Sequence, residues 1–309
     1  MMKYDVAVVG EVYIDHIFTG FANWPLPGEE VFTRHYAREI GGGAVNTACA
    51  LARLGRAVRL FGVIGAADGE WFENRLRAFN VSSDMLEKAA GDTGVTVSVS
   101  MRGDRSFFSY AGENEKLMPM LGSEAMLASL RNARHVHFAL PLAHDLAMIL
   151  LPALRLAGCT TSLDVGFQAE WLRSPASLET CRALDYLFPN EKEAALLSGG
   201  GDATGYLSFA RQNEFARPVV KLGPRGAAMF ADGVPYEVPS PLVETVDTTG
   251  AGDAFDGGFI DALLDTASPE DCLKRACICG ALSTRASGAL AALPLREEVE
   301  KFHDQTYAS

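Results

Sequence analysis

The chain has 309 residues, 48% hydrophobic and 21% charged, the composition of a folded protein with one large α/β domain or two ordinary ones. A formal net charge of −12 argues against a surface for nucleic acid or an anionic membrane, although backbone amides can still bind a small anion. No window reaches the roughly 18 uninterrupted apolar residues of a membrane helix, and MMKYDVAVVGEVYID reads as a first strand, not a signal peptide. The six cysteines lack a C-x-x-C pair and are expected to be reduced, partly buried thiols of a cytoplasmic protein.

In chain order, VAVVG (6–10) predicts a buried parallel strand ended by glycine. AVNTACALARLG (44–55) has apolar residues at helical spacing and stops at Gly55. AVRLFGVIG (57–65) predicts a strand and GEWFENRLRAFNV (69–81) an amphipathic helix. Further strands are expected at HVHFAL (135–140), TTSLDVG (160–166) and DYLFPN (185–190), with a helix at 146–158. His135 and His137 alternate on one strand face and read as structural. PVVKLG (218–223) and AAMFAD (227–232) read as a strand pair, followed by apolar helices over 254–265 and 270–286. This alternation predicts an α/β fold in three layers: a doubly wound, mostly parallel sheet with helices on both faces.

Two segments, about 11–38 and 92–112, break the rhythm. The second alternates around a Gly103-Asp104 turn, a hairpin signal. Neither segment leads into a crossover helix. They are expected to form a small β-sheet lid on a single domain spanning 1–309, closing over a site to exclude water. A plain sheet extension or a dimer contact would fit as well.

IGGGAVNTA (40–48) opens a helix but fails as a dinucleotide fingerprint, because Asn46 takes the last glycine position and the motif does not follow the first strand. Gly41, Gly42 and Gly43 let something approach the backbone, Asn46 offers a donor and an acceptor to a polyol, and Asp15 can accept hydroxyl hydrogen bonds. Asn46 read as a plain helix-start contact is the alternative. No P-loop is present. In VDTTGAGDAF (246–255), the amides of Gly250, Ala251, Gly252 and Asp253 would form an anion hole at a helix start. An acid there reads either as a base or as a helix cap.

Together GEVYID (10–15), GGGAVNTACALARLG (41–55), PNEKEAALLSG (189–199), KLGPRGA (221–227) and DTTGAGDAFDGGF (247–259) resemble the ribokinase-like (PfkB-type) carbohydrate kinase family almost end to end. The resemblance implies ATP-dependent phosphorylation of a sugar hydroxyl. It makes Asp253 the general base and the Gly250–Asp253 amides the hole for the transferred phosphoryl group. It gives Asp15, Gly41, Gly42, Gly43 and Asn46 to the sugar, and Asn190, Lys221, Gly223 and Gly226 to the nucleotide. It implies Mg²⁺ held by Glu193 through water, and a monovalent cation, K⁺, at Asp247. By local pattern alone Asn190 and Glu193 also make a capping box.

The chain departs from the family in three places. The loop TRASGALAALP (284–294) has Ala291 and Ala292 where a polar side chain often supports the cation. DVGFQAEW (164–171) keeps Asp164 and Trp171 but has Gly166 and Gln168 in place of an Asn and an Arg. Gly43 stands where members acting on sugar phosphates often have lysine, although Arg102 and Arg105 are in the lid segment. An unphosphorylated sugar is therefore expected. RSFFSYAGENE (105–115) resembles the lid return of ribokinase- and fructokinase-like members, and Phe107, Phe108 and Tyr110 either face a sugar or fill the lid. A nucleoside kinase of the same family is the alternative, since aromatic rings suit a base. A non-catalytic nucleotide or sugar sensor on the same fold is the third reading. Pairing of two lids would make a homodimer.

Overall fold

A computed structural model describes residues 4–21, 23–101, 104–166 and 168–307 of the chain. Gly103 of the expected hairpin turn and Arg102 of the lid segment lie outside the described residues, and so does the side chain of Arg105. In chain order the strands are β1 (Tyr4–Gly10), β2 (Tyr13–Thr19), β3 (His35–Gly41), β4 (Val58–Gly65), β5 (Ser82–Ala89), β6 (Gly94–Met101) and β7 (Asp104–Tyr110). They continue as β8 (Ala133–Ala139), β9 (Thr160–Leu163), β10 (Tyr186–Leu187), β11 (Arg217–Lys221), β12 (Ala227–Ala231) and β13 (Val234–Val238).

Nine strands form the main sheet in the order β13-β12-β11-β10-β9-β8-β1-β4-β5. Every pair from β11 to β5 is parallel, and β12 and β13 close one edge antiparallel. The β-branched run of β1 is buried along nearly its whole length, because parallel strands are covered on both faces. Core clusters on the two faces contain Val6 and Val8 on one side and Ala7 and Val9 on the other, as strand alternation requires. The expected three-layer arrangement is thus present.

β5 and β13 have no counterpart among the predicted strands. Both lie at sheet edges and bury few of their residues, so neither carries an apolar run to betray it. The predicted helix over 69–81 ends at Ala78, with Asn80 at φ +62° turning the chain.

The two irregular segments do come together. β3, β2, β6 and β7 form a separate four-stranded sheet, with β6 and β7 as the expected hairpin. Trp24, Tyr36, Phe107, Phe108 and Tyr110 are exposed there, and Trp24 stacks on Phe108 at 6.1 Å between ring centres.

His135 and His137 are fully buried on β8 and bond to Thr160 and Ser162 of β9. Burial lowers them to about 3 and about 4, so both are neutral, in keeping with their structural reading.

The helix Ala251–Leu264 is held at its middle and near its C-terminus. A Cβ on Gly257 would come within 2.9 Å of Ala50 Cβ, and one on Gly258 within 2.8 Å of Cys279 Sγ. The glycine pair therefore lets this helix press against its two helical neighbours. Toward its C-terminus the buried Asp261 pairs with Arg56, Arg275 and Arg296, and Asp265 joins the same three arginines. That network locks the end of the helix opposite the GAG turn.

Candidate active site

The chain leaves β1 toward β4 on one side and later lays β8 on the other. The crevice at the carboxyl ends of such strands is where ligands bind in open α/β sheets. Gly10 ends β1, Asp164 follows β9 and Lys221 ends β11, so this edge collects the residues singled out in the sequence.

The helix Ala251–Leu264 starts here. Its cap, Gly250, has φ +74°, and a Cβ there would lie 2.6 Å from Ala289 Cβ. The left-handed turn and the close contact both require glycine. Ala251 and Gly252 follow in the first turn, then Asp253. Asp253 does not cap the helix: the cap makes no side-chain hydrogen bond, and Asp253 Oδ2 instead accepts from Asn46 Nδ2 at 2.8 Å. Thr47 Oγ1 donates to the Asp253 carbonyl at 3.3 Å. Gly43 lies beside the same carboxylate, and a Cβ there would be 3.4 Å from Asp253 Oδ1.

Asp15 enters from β2 against β3. A Cβ on Gly41 would sit 2.0 Å from Asp15 Oδ2, so only glycine leaves room for that carboxylate. Gly42 caps the helix Gly43–Arg53. Burial, then the charges of Asp253 and Glu39, push Asp15 up to about 7. Burial, then the charge of Asp164, push Asp253 up to about 6, against the opposing pull of the Asn46 amide. Asn46 Oδ1 is buried and lacks a hydrogen-bond partner. A buried orphan acceptor is costly unless a ligand donor meets it.

An open cleft of about 380 Å³ lies at the helix start, next to Asp253 in the chain. Lys221, Gly223 and Gly226 line it from one side, and Ala251 and Gly252 from the other. Leu242, Val243, Phe255 and Cys277 give it apolar walls, as suits a planar ring. Gly223 opens a short 3₁₀ turn and Gly226 follows it, both at positive φ.

Lys221 is committed more deeply than its expected contact with phosphates suggests. Its ammonium lies 2.5 Å from Asp164 Oδ2 and 3.3 Å from Asp256 Oδ1. Burial would lower its proton affinity, but Asp164, Asp256 and Glu193 outweigh that and hold it well above the usual lysine range. Burial alone would raise Asp164, yet Lys221 and three hydrogen bonds bring it to about 2. Asp256 carried no signal in the motif reading, although its place three residues after Asp253 puts both acids on one helix face.

Asn190 and Glu193 form a complete capping box: Asn190 Oδ1 accepts from the amides of Lys192 and Glu193, and Glu193 Oε2 accepts from Asn190 N at 2.8 Å. The same segment bridges to Lys221, which brings it to the cleft. Glu193 is buried and held above its usual range by burial and then by Asp164. Asp247 accepts from Thr249 N and Oγ1 at 2.9 and 2.7 Å, and from Gly288 N at 2.9 Å, which ties the 284–294 loop to the helix start.

A helix N-terminus facing a cleft, with a carboxylate in its first turn, suits the binding and transfer of a phosphoryl group. The model of the pfkB family carbohydrate kinases matches residues 3–296. The chain therefore belongs to the pfkB carbohydrate kinase family and is an ATP-dependent phosphotransferase. It is 28% identical to a ribokinase of Arabidopsis thaliana over 96% of this chain and 80% of that protein. It is 32% identical to an ATP-dependent ribose-1-phosphate kinase of Halopiger xanaduensis over 93% and 97% of the two chains. The solved structure of Arabidopsis thaliana ribokinase with ribose and ATP superposes with a TM-score of 0.86 at 28% identity, covering 97% of this chain and 98% of that one.

Proposed function

We propose that this protein transfers the γ-phosphoryl group of ATP to a primary hydroxyl of an unphosphorylated sugar. The observation that carries this reading is the Asn46–Asp253 hydrogen bond beside the orphan Asn46 Oδ1. It turns the acid toward the polar pocket and leaves an acceptor ready for a second sugar hydroxyl.

In this reading Asp15 and Asn46 hold sugar hydroxyls, while Gly41, Gly42 and Gly43 let the sugar close on the backbone. Asp253 accepts the proton of the attacking hydroxyl; with its pKa near 6 it is ionised at neutral pH but basic enough to take that proton. The amides of Gly250, Ala251, Gly252 and Asp253 stabilise charge on the moving phosphoryl group. The nucleotide lies in the cleft past Gly223 and Gly226, with the Asn190 segment and Lys221 at its phosphate end.

Glu193 fits a cation site, since it is a buried carboxyl beside Asp164 whose charge is uncomfortable without one. It would hold Mg²⁺ through water, and the metal would supply neutralisation of the ATP phosphates. Asp247, already supplied with protein donors, works as a clasp for the 284–294 loop and leaves turnover independent of K⁺.

The preference for a neutral sugar rests on the paired acids Asp15 and Asp253, which would repel a substrate phosphate, and on Gly43 in place of a cation. The small sheet acts as a lid on a single catalytic unit. Its exposed aromatic side chains pair with those of a second copy in a homodimer. The buried free thiols suit a reducing, cytoplasmic setting. A nucleoside acceptor is the second reading, favoured by exposed Phe107, Phe108 and Tyr110.

Turnover of ATP by the purified protein over neutral sugars, sugar phosphates and nucleosides tests the proposal. Highest kcat/KM for a neutral pentose or hexose is expected. A sugar phosphate or a nucleoside ahead of every neutral sugar overturns the substrate assignment, and no ATP turnover on any of them leaves only a sensor.

A further inference from the structure

Catalysis by Asp253 leaves a second buried acid without a role. Asp256 stands one turn further along the same helix face, and its side chain is fully inaccessible. One of its carboxyl oxygens lies within 4.8 Å of an oxygen of Asp164 and of Asp253, and it shares the Lys221 ammonium with Asp164. Three clustered carboxylates beside one ammonium would carry two uncompensated negative charges, and a proton on one of them relieves that repulsion. The Lys221 ammonium decides which: it lies 2.5 Å from Asp164 Oδ2 but 3.3 and 3.5 Å from the two Asp256 oxygens. The cation sits on Asp164, and the proton belongs on Asp256. Lys221 also abuts the anion hole, since a Cβ on Gly252 would be 3.3 Å from its Nζ.

We propose that Asp256 is a positioning residue that stays protonated at neutral pH, donates to Asp164, and with it fixes the Lys221 ammonium between the base Asp253 and the phosphate end of the cleft. One oxygen from each of Asp164, Asp253 and Asp256 lies within 4.8 Å of the other two. With Asp164 ionised, Lys221 charged and Asp256 neutral, the charges around the base cancel. Asp253 is then the one negative charge of this quartet left to meet the sugar hydroxyl. An ionised Asp256 would add a second and weaken Asp253 as a carboxylate poised at neutral pH.

The groups facing this cluster are Asp253 on the same helix, Asp164 after β9 and Lys221 on β11. Glu193 acts on Asp164 and Lys221 from the start of the helix Glu191–Ser198, neutral His137 faces them from β8, and Asp15 faces Asp253 from β2. In agreement with the geometry, burial pushes Asp256 well above the carboxylate range, while Asp164 is held at about 2.

The inference rests on the kinase reading only in its kinetic part. Infrared difference spectra of the substrate-free protein against Asp256→Asn, at about pH 8.5, where ordinary carboxyls are ionised, test the proton itself. One protonated-carboxyl band present in the wild type and lost in the variant is expected. No such band, or its survival in the variant, overturns the proposal. In turnover, Asp256→Asn, whose amide can still donate to Asp164, is expected to keep at least about ten-fold more kcat than Asp256→Ala, with KM for ATP little changed. Lys221→Met is expected to move the acid limb of kcat up by about one pH unit, because the cation beside Asp253 is gone. Equal loss in the Asn and Ala variants, or an unmoved limb, removes the positioning role. If no acceptor is phosphorylated at all, the kinase reading fails while the infrared result still decides where the proton is.

Discussion

Asn46 donates to Asp253 across 207 residues of sequence, joining the two glycine-rich motifs at one carboxylate oxygen. The bond has two effects. It holds the Asp253 carboxylate against Asn46, away from the helix's own amides, and it lowers a pKa that burial and Asp164 raise.

Removing the base should separate chemistry from binding. Asp253→Asn keeps the shape and the partner of Asp253 but cannot accept a proton. Turnover is expected to fall by about 10³-fold, with ATP affinity within about three-fold of wild type by calorimetry. Turnover within ten-fold of wild type would take Asp253 out of the base role.

The pH profile follows from two raised carboxyls. Asp253 near 6 and Asp15 near 7 face each other, so they titrate as a pair. Both must be ionised in the proposed chemistry, so kcat/KM should fall as the pH drops through 7 to 6. Asn46→Ala removes the donor that favours ionised Asp253 and should shift this fall to higher pH. A flat profile from pH 5 to 8 would contradict the assignment.

The same acids cost stability. A carboxyl whose folded pKa lies above its unfolded value stabilises the fold when protonated, below about 4, and loses that contribution as the pH rises through the folded value, about 7 for Asp15. At pH 8 the ionised, partly buried Asp15 is therefore a burden. Asp15→Asn is expected to raise stability there by about 1 to 2 kcal/mol while abolishing sugar binding. Thermal unfolding at pH 8 and pH 4 checks the sign: the gain should vanish at the lower pH.

Gly250→Ala places a Cβ at φ +74° and against Ala289. Destabilisation by about 2 to 4 kcal/mol is expected, with kcat reduced because the anion-hole amides are displaced. An unchanged melting temperature would show that the turn tolerates a side chain.

Because Asp247 already receives donors from Thr249 and Gly288, exchange of K⁺ for Na⁺ at constant ionic strength should change kcat/KM by less than about two-fold. Strong activation by K⁺ would mean that a cation shares Asp247 with those donors.

Much of this molecule can be read from residue order. The buried runs of β1 and β4, the helix after IGGG and the strand pair at 217–231 announce themselves by period, because burial on both faces or on one stripe leaves a local pattern. So does the GAG turn, whose backbone demands are local. β5 and β13 escape because an edge strand needs no apolar run. Asp253 is visible in its motif, but whether it caps the helix or turns toward Asn46 depends on a partner that only folding supplies.

The remaining site properties come from packing. Lys221 reads as a phosphate ligand in sequence, yet the fold seats its ammonium between Asp164 and Asp256 from two other segments. The pKa values of Asp15 and Asp253 depend on burial and on charges brought in by distant strands. Sequence by itself determined which residues could meet an anion and a hydroxyl, since backbone geometry and side-chain chemistry are local. Tertiary structure decided which carboxyls are charged, because desolvation and Coulomb energy depend on neighbours in space, whatever their separation in the chain.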